Sequence, residues 1–194
     1  MSGFPGALAA AVVALSLLAG ALSHLSRPSA LPEALRAHGV LPPRAAGTAA
    51  LAVPAAEGVL GVACVVAWLG GGRLWPATVL ALGSGLFLVY AGYARHVTAT
   101  GRHGPCGCSR TALPMSRWVT RRAVALAVLA AAAAAQAAGA GPPDPRDLGG
   151  EALATLLLAA PACALLLWTL PAAMYEPSPP SEGAARSWTS PPAP

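Results

Sequence analysis

The sequence predicts an all-α fold, a polytopic bundle of transmembrane helices. Of its 194 residues, 56% are apolar and only 10% are charged, against roughly 25% charged residues in an ordinary soluble domain. The apolar residues are also grouped into five runs, each near the roughly 20 residues with which an α-helix crosses the hydrocarbon core of a bilayer. Runs of this length with so little charge exclude a soluble globular enzyme.

The five predicted spans cover residues 4–25, 45–69, 74–94, 123–141 and 152–172. The first has no basic segment before it and is longer than the roughly 7–15 residues of a signal-peptide core, so we interpret it as a retained span. The fourth holds twelve alanines among 19 residues, with Gln136 between them. Because small side chains let helices approach closely in lipid, we expect this helix to depend on its neighbours for insertion.

The spans divide the chain into three expected parts. Residues 1–141 form a four-helix membrane domain, residues 142–173 add a fifth transmembrane helix, and residues 174–194 form a disordered tail rich in proline and serine. A short helix along the membrane surface is expected between the first two spans. Pro32 suits its first position, Glu33 the positive end of its dipole, and Gly39 its end.

The arginines predict how the bundle is oriented. The chain has twelve arginines and no lysine. Ten of the arginines fall on one side of the predicted spans: Arg27, Arg36, Arg44, Arg95, Arg102, Arg110, Arg117, Arg121, Arg122 and Arg186. Arg73 and Arg146 fall on the other side. Since cytoplasmic loops carry the excess of basic residues, we expect the ten-arginine side to be cytoplasmic and the N-terminus to be outside.

Composition also excludes several kinds of protein. The arginines lie in short gaps between apolar runs, which argues against a nucleic-acid binder that uses a basic patch. Four cysteines are too sparse for a disulfide-stapled secreted module. No glycine-rich phosphate loop, nucleophile elbow or cofactor fingerprint is evident, so no cofactor is assigned. The lipid bilayer is the partner that the composition indicates.

Glu57 is the acidic residue that lies well inside a predicted span. A carboxyl at mid-membrane costs roughly 2.5–3.5 kcal/mol on insertion scales, so we expect it to face the bundle interior. Pro54 frees a backbone carbonyl nearby, and Gly58 and Gly61 permit close contact with another helix. The span holds no second charged residue for a relay. We therefore favour a polar contact that organises the bundle, with a proton or quinone-type site as the alternative.

The loop after the third span carries a closely spaced cysteine pair, Cys106 and Cys108, on either side of Gly107. Glycine permits the tight backbone that would bring the two sulfurs together, and a strained bond across so small a ring would be readily reduced. Arg102 and Arg110 would stabilise thiolates and lower the cysteine pKa. These features indicate reversible thiol exchange.

Two other interpretations of this loop stay open. His96, His103, Cys106 and Cys108 could supply a tetrahedral metal site in a transport or metal-handling subunit, although their spacing fits no standard zinc pattern. The cysteines could also be incidental to a purely structural subunit. Cys64 and Cys163 lie inside spans, where cysteine behaves as a small apolar residue, so we do not include them in a relay.

Four segments in order carry a family resemblance: Ser23-His24-Leu25-Ser26-Arg27-Pro28, then Ala34-Leu35-Arg36-Ala37-His38-Gly39-Val40-Leu41-Pro42, then Pro54-Ala55-Ala56-Glu57 with Gly61, and Pro105-Cys106-Gly107-Cys108. Over about residues 5–140 they resemble the MauE family of methylamine-utilisation membrane proteins, which are related to the DoxX group. The chain departs from that pattern after the cysteine pair, where Ser109-Arg110 stands in place of the common Phe-Gly.

The resemblance implies a four-helix membrane bundle with an accessory role. That role is to form or maintain disulfides in the small subunit of methylamine dehydrogenase, or to deliver that subunit. By analogy Cys106 and Cys108 carry the redox chemistry, and Glu57 matches the acid of the family's second span. A protein that oxidises exported clients should present its thiols outside, whereas the arginines place this pair inside. Either the pair exchanges electrons with a cytosolic carrier, or the orientation is inverted; we give the arginines more weight.

Overall fold

The computed structural model describes residues 3–70, 74–102, 104–107, 114–140 and 148–175. Within them the chain forms six α-helices and no strand: α1 Phe4–Ser26, α2 Ala30–His38, α3 Pro43–Gly70, α4 Leu74–Ala99, α5 Arg117–Gly139 and α6 Gly150–Ala173. All except α2 are long and apolar enough to cross a membrane. The predicted all-α polytopic membrane bundle is therefore confirmed. Of the predicted tail, residues 174–194, only Met174 and Tyr175 are among the described residues.

Helix α1 is the centre of the bundle, because it contacts each of the other four spans. Val13 and Leu17 on this helix are completely buried. They belong to one core cluster that also includes Phe87 of α4, Ala130 of α5 and Ala160 of α6. A shared cluster of this kind holds all five spans in one packed unit.

Helix α5 packs most extensively against α4, and its buried face is built mainly from alanine. The hydroxyl of Ser84 on α4 donates a 2.9 Å hydrogen bond to the backbone carbonyl of Ala127 on α5. Gln136, which interrupts the alanines, lies against Gly6 of α1: a Cβ atom built on Gly6 would be 3.0 Å from its Nε2. The alanine-rich helix thus contributes a close-packed face, as the sequence suggested.

Four helices begin two to six residues earlier than the sequence predicted. The largest difference is in α5, which begins at Arg117 rather than residue 123, because the prediction followed the apolar run and left out the first turns, whose arginines stack on tryptophan rings. The guanidinium carbon of Arg121 lies 4.5 Å from the ring centre of Trp118. Helix α2 begins at Ala30, so Pro32 lies within its first turn rather than at its first position. Gly39 ends α2 in the left-handed conformation, with φ of 59°, as expected for a C-terminal glycine.

Helices α1 and α3 approach closely where Gly61 faces Leu18. A Cβ atom built on Gly61 would lie 2.8 Å from the Leu18 side chain and 3.2 Å from its backbone nitrogen. Gly58, the other glycine predicted to permit close contact, is less constrained, because a Cβ atom there would be 3.7 Å from Ala21. Gly61 therefore sets the distance between these two helices.

Helix α2 is tied across the end of the bundle by two polar contacts. The Nδ1 atom of His38 and the hydroxyl of Tyr93 on α4 form a 2.9 Å hydrogen bond. The Arg102 guanidinium donates to the backbone carbonyl of His38 at 3.0 Å and also to that of Gly39. A cation at the last carbonyls of a helix also complements its dipole. These contacts hold α2 beside the segment that contains Cys106.

The buried position of His38, only 2% exposed, makes this tie sensitive to pH. Burial lowers the pKa of the His38 imidazole below its ordinary 6.5, and the neighbouring backbone of Gly104 and Pro105 opposes part of that shift. A base with a lowered pKa in the folded protein takes up its proton more easily when unfolded. The contribution of neutral His38 to the free energy of unfolding is therefore fully present above the pKa of an ordinary histidine. It is lost as the pH falls from that value toward the lowered pKa of the folded protein.

Replacing Gly61 by alanine should destabilise the bundle, because the new methyl group would overlap Leu18 and push α1 away from α3. We expect a loss of about 1–3 kcal/mol in the free energy of unfolding, measured by denaturant titration of the purified protein in micelles. Gly47→Ala, in the same helix with nothing within 4 Å of the added Cβ, is the matched control and should not destabilise. Equal effects from the two substitutions would refute the close-contact assignment.

As the pH is lowered, the unfolding temperature should fall more steeply in the wild-type protein than in the His38→Phe variant. Below the ordinary histidine pKa of about 6.5, protonation of His38 favours the unfolded state only where the imidazole is present. Melting curves in detergent from about pH 7.5 to about pH 5 measure the difference, and any contribution from His24 is common to both proteins. Parallel pH profiles would contradict the role assigned to His38.

Candidate functional site

A carboxyl and an imidazole meet between α1 and α3. Glu57 lies near the middle of α3 and is 6% exposed, and His24 in the last turn of α1 is equally buried. The Nε2 atom of His24 is 3.6 Å from Oε2 of Glu57, which is an ion-pair distance but too long for a good hydrogen bond. Gly20 makes room for the carboxyl, because a Cβ atom there would lie 2.8 Å from it.

Glu57 therefore faces the bundle interior, as predicted. Its partner, His24, was not predicted. His24 carries no formal charge at neutral pH, so it was not among the charged residues considered within the predicted spans. A signal was present: Ser16, Gly20 and His24 recur every four residues and therefore share one face of α1. All three line the cavity that also receives Glu57. A polar stripe on an otherwise apolar helix is the pattern that identifies this face.

The cavity beside this pair has a volume of about 310 Å³. All six helices contribute to its wall, which is mostly apolar and includes the aromatic rings of Phe87 and Trp168. Its polar lining residues are Ser16, His24, His38, Glu57, Tyr90, Tyr93, Cys106 and Arg122. Small-molecule sites typically measure about 300–1,000 Å³ and combine apolar walls with a few converging polar groups. This cavity therefore has the size and character of a small ligand site.

Cys106 reaches the cavity from the loop between α4 and α5. The two arms of that loop pair near its base, where the Met115 amide donates a 3.0 Å hydrogen bond to the Gly104 carbonyl and Pro105 forms a bridge with Pro114. After Cys106 the chain turns at Gly107, whose φ of 74° favours glycine. A Cβ atom on Gly107 would also lie 2.8 Å from that of Ala34 on α2. Glycine is thus required here both by conformation and by space.

Helix α6 closes one side of the cavity. Ala164, Leu167 and Trp168 of this helix belong to the cavity wall. The guanidinium carbon of Arg122 on α5 lies 5.2 Å from the ring centre of Trp168, within the range of a cation–π contact. The last span therefore contributes directly to the site that the first four spans form.

The other predicted site residues lie elsewhere or outside the described residues. Arg102, predicted to tune the thiolates, has its guanidinium at the end of α2. His96 is exposed near the end of α4. Three further predicted residues lie outside the described residues: His103, Cys108 and Arg110. Within the described part of the chain, no group of three or more histidine, cysteine or acidic residues is placed so that it could hold a metal ion.

The two cysteines predicted to be ordinary apolar residues lie in α3 and α6. Cys64 is buried in the core cluster, and Cys163 packs against it. Neither forms a disulfide. Cys64 also borders a second cavity of about 30 Å³ with Trp68 and Gln136, a volume sufficient for little more than a water molecule or two. Of these two cavities, the one that Cys106 lines has the size of a ligand site.

Comparison with known proteins agrees with the resemblance seen in the sequence. No curated protein and no solved structure matches the chain significantly. The profile of the family described as methylamine utilisation protein MauE matches residues 2–136. That range includes α1 to α4 and nearly all of α5, together with His24, Glu57 and the cysteine pair, and it ends before α6. The chain therefore belongs to the MauE family of membrane proteins.

Proposed function

We propose that this protein is a thiol-redox accessory factor of the membrane, in which Cys106 and Cys108 alternate between a dithiol and a disulfide. The observation that carries this proposal is the position of Cys106, which lines the same cavity as Glu57 and His24. Gly107 supports it, since the turn after Cys106 adopts a backbone conformation that other residues rarely do. A cysteine pair on such a turn is suited to exchange rather than to structural cross-linking.

The client would be a partner protein whose disulfides must form or be maintained. The family description concerns methylamine utilisation, so the small subunit of methylamine dehydrogenase is the client that we propose. In one exchange cycle the disulfide of Cys106 and Cys108 accepts two electrons from two client thiols. The client gains one disulfide, and this pair becomes a dithiol that must be reoxidised before the next cycle.

The positive-inside rule supports an orientation for this chemistry. We propose that the N-terminus is outside and that the loop with Cys106 and Cys108 faces the cytoplasm. Arg27, Arg36 and Arg44, around α2, would lie on that same side. The pair would then exchange electrons with a carrier or client before its export. Arg110 would favour thiolates at this loop by its positive charge, whereas the Arg102 guanidinium binds the last carbonyls of α2.

Replacing Cys106 by serine should abolish client maturation, because a single remaining thiol cannot form the intramolecular disulfide. Cys108→Ser and the double variant should give the same loss, down to the level of cells without the protein. The measurement is the oxidised fraction of the co-expressed dehydrogenase small subunit. Free thiols of the subunit are alkylated, and the mass of the intact subunit is then determined by mass spectrometry.

Cys163→Ser is the matched control, since it also removes one thiol but lies in α6, and it should leave maturation unchanged. Immunoblotting of membranes establishes that each variant is present in equal amount. Normal client oxidation in the double variant would overturn the proposed redox role and favour a structural subunit.

A further inference from the structure

We propose that the cavity of about 310 Å³ binds the ring of a membrane-soluble quinone, which reoxidises the cysteine pair. This inference rests on the proposed thiol-redox function and adds the electron acceptor to it. A membrane-soluble acceptor fits this cavity, because most of the cavity wall is supplied by the membrane-spanning helices, with α2 and the loop of Cys106 completing it.

The lining of the cavity matches the chemistry of a quinone. A quinone ring is planar and mostly apolar and carries two carbonyl oxygens that accept hydrogen bonds. Phe87, Leu126 and Trp168 supply apolar and aromatic surface. The Arg122 guanidinium, held over the Trp168 ring, is a donor of the kind that carbonyl oxygens require.

The His24–Glu57 pair supplies groups that can hold and transfer protons. His24 is 94% buried, since 6% of it is exposed, and its Nδ1 atom has no hydrogen-bond partner among the described residues. Its other ring nitrogen faces the Glu57 carboxyl. The His24 imidazole can therefore form a hydrogen bond through Nδ1 to a ligand in the cavity and exchange a proton with it.

Reoxidation of the pair by a quinone balances without another reactant. Two S–H bonds of Cys106 and Cys108 break and one S–S bond forms, which releases two electrons and two protons. The quinone accepts both electrons, and its two carbonyl oxygens accept both protons and become the hydroxyls of a hydroquinone. Glu57 and His24 hold or pass protons during the transfer, and the hydroquinone leaves to the lipid.

Binding can be tested apart from chemistry in the Cys106→Ser, Cys108→Ser double variant in lipid nanodiscs. A decyl-substituted dimethoxy-methyl-benzoquinone is titrated while tryptophan fluorescence is recorded. We expect saturable quenching that is lost in Trp168→Phe. Ala164→Phe, which fills the cavity, should weaken binding by about tenfold or more. Ala162→Phe, on the exposed side of the same helix, should bind like the parent. Absence of saturable quenching, or equal binding by the two alanine variants, would overturn the inference.

Electron transfer is tested by mixing the reduced wild-type protein with the same quinone, and separately with the soluble oxidant diamide. We expect one hydroquinone for each Cys106–Cys108 disulfide, with slower formation in Ala164→Phe than in Ala162→Phe. Disulfide formation with diamide but not with quinone would overturn the quinone inference and leave the thiol-redox function standing. Failure of both oxidants to join the two cysteines would overturn the proposed function itself.

Discussion

The burial of the Glu57 carboxyl is the constraint on which the arrangement of the bundle depends. A carboxyl within an apolar helix is costly unless polar groups surround it. Helix α1 meets this requirement with His24, and it makes room for the carboxyl at Gly20, where a side chain would overlap Glu57. Because these two residues lie one helical turn apart, their contacts with Glu57 fix how α1 and α3 are rotated against each other. The close approach at Gly61 continues the same interface one turn further along α3.

This interface also determines where the cavity can form. With α1 and α3 joined at Glu57, the remaining spans surround the open space beside the pair, and α2 covers one end. His38 and Arg102 hold α2 in that position through Tyr93 and through the last carbonyls of the helix. Cys106 then reaches the cavity from a loop whose arms are joined by backbone contacts. The carboxyl, the imidazole and the thiol thus share one cavity although they are far apart in sequence.

Much of the architecture could be predicted from composition and periodicity, because hydrocarbon-length apolar runs allow few structures other than helices. The interior position of Glu57 followed from the energetic cost of exposing it to lipid, and the need for glycine at Gly107 followed from the tight turn. The pairing of Glu57 with His24 could not be predicted in the same way, since it depends on how two helices are rotated. The contribution of Trp168 was missed for a related reason: α6 was treated as an addition to the core, whereas its packing against α1 brings it to the cavity wall.

The most direct test of the account is thiol labelling of the Cys64→Ala, Cys163→Ala variant, which keeps only the cysteine pair. A membrane-impermeant maleimide is applied to intact cells and to permeabilised cells, with and without prior reduction. We predict labelling only after permeabilisation, with a fraction of the pair labelled only after reduction, as expected for a cytoplasmic pair that cycles through a disulfide. Complete labelling without reductant would contradict the reversible disulfide, and labelling in intact cells would contradict the proposed orientation.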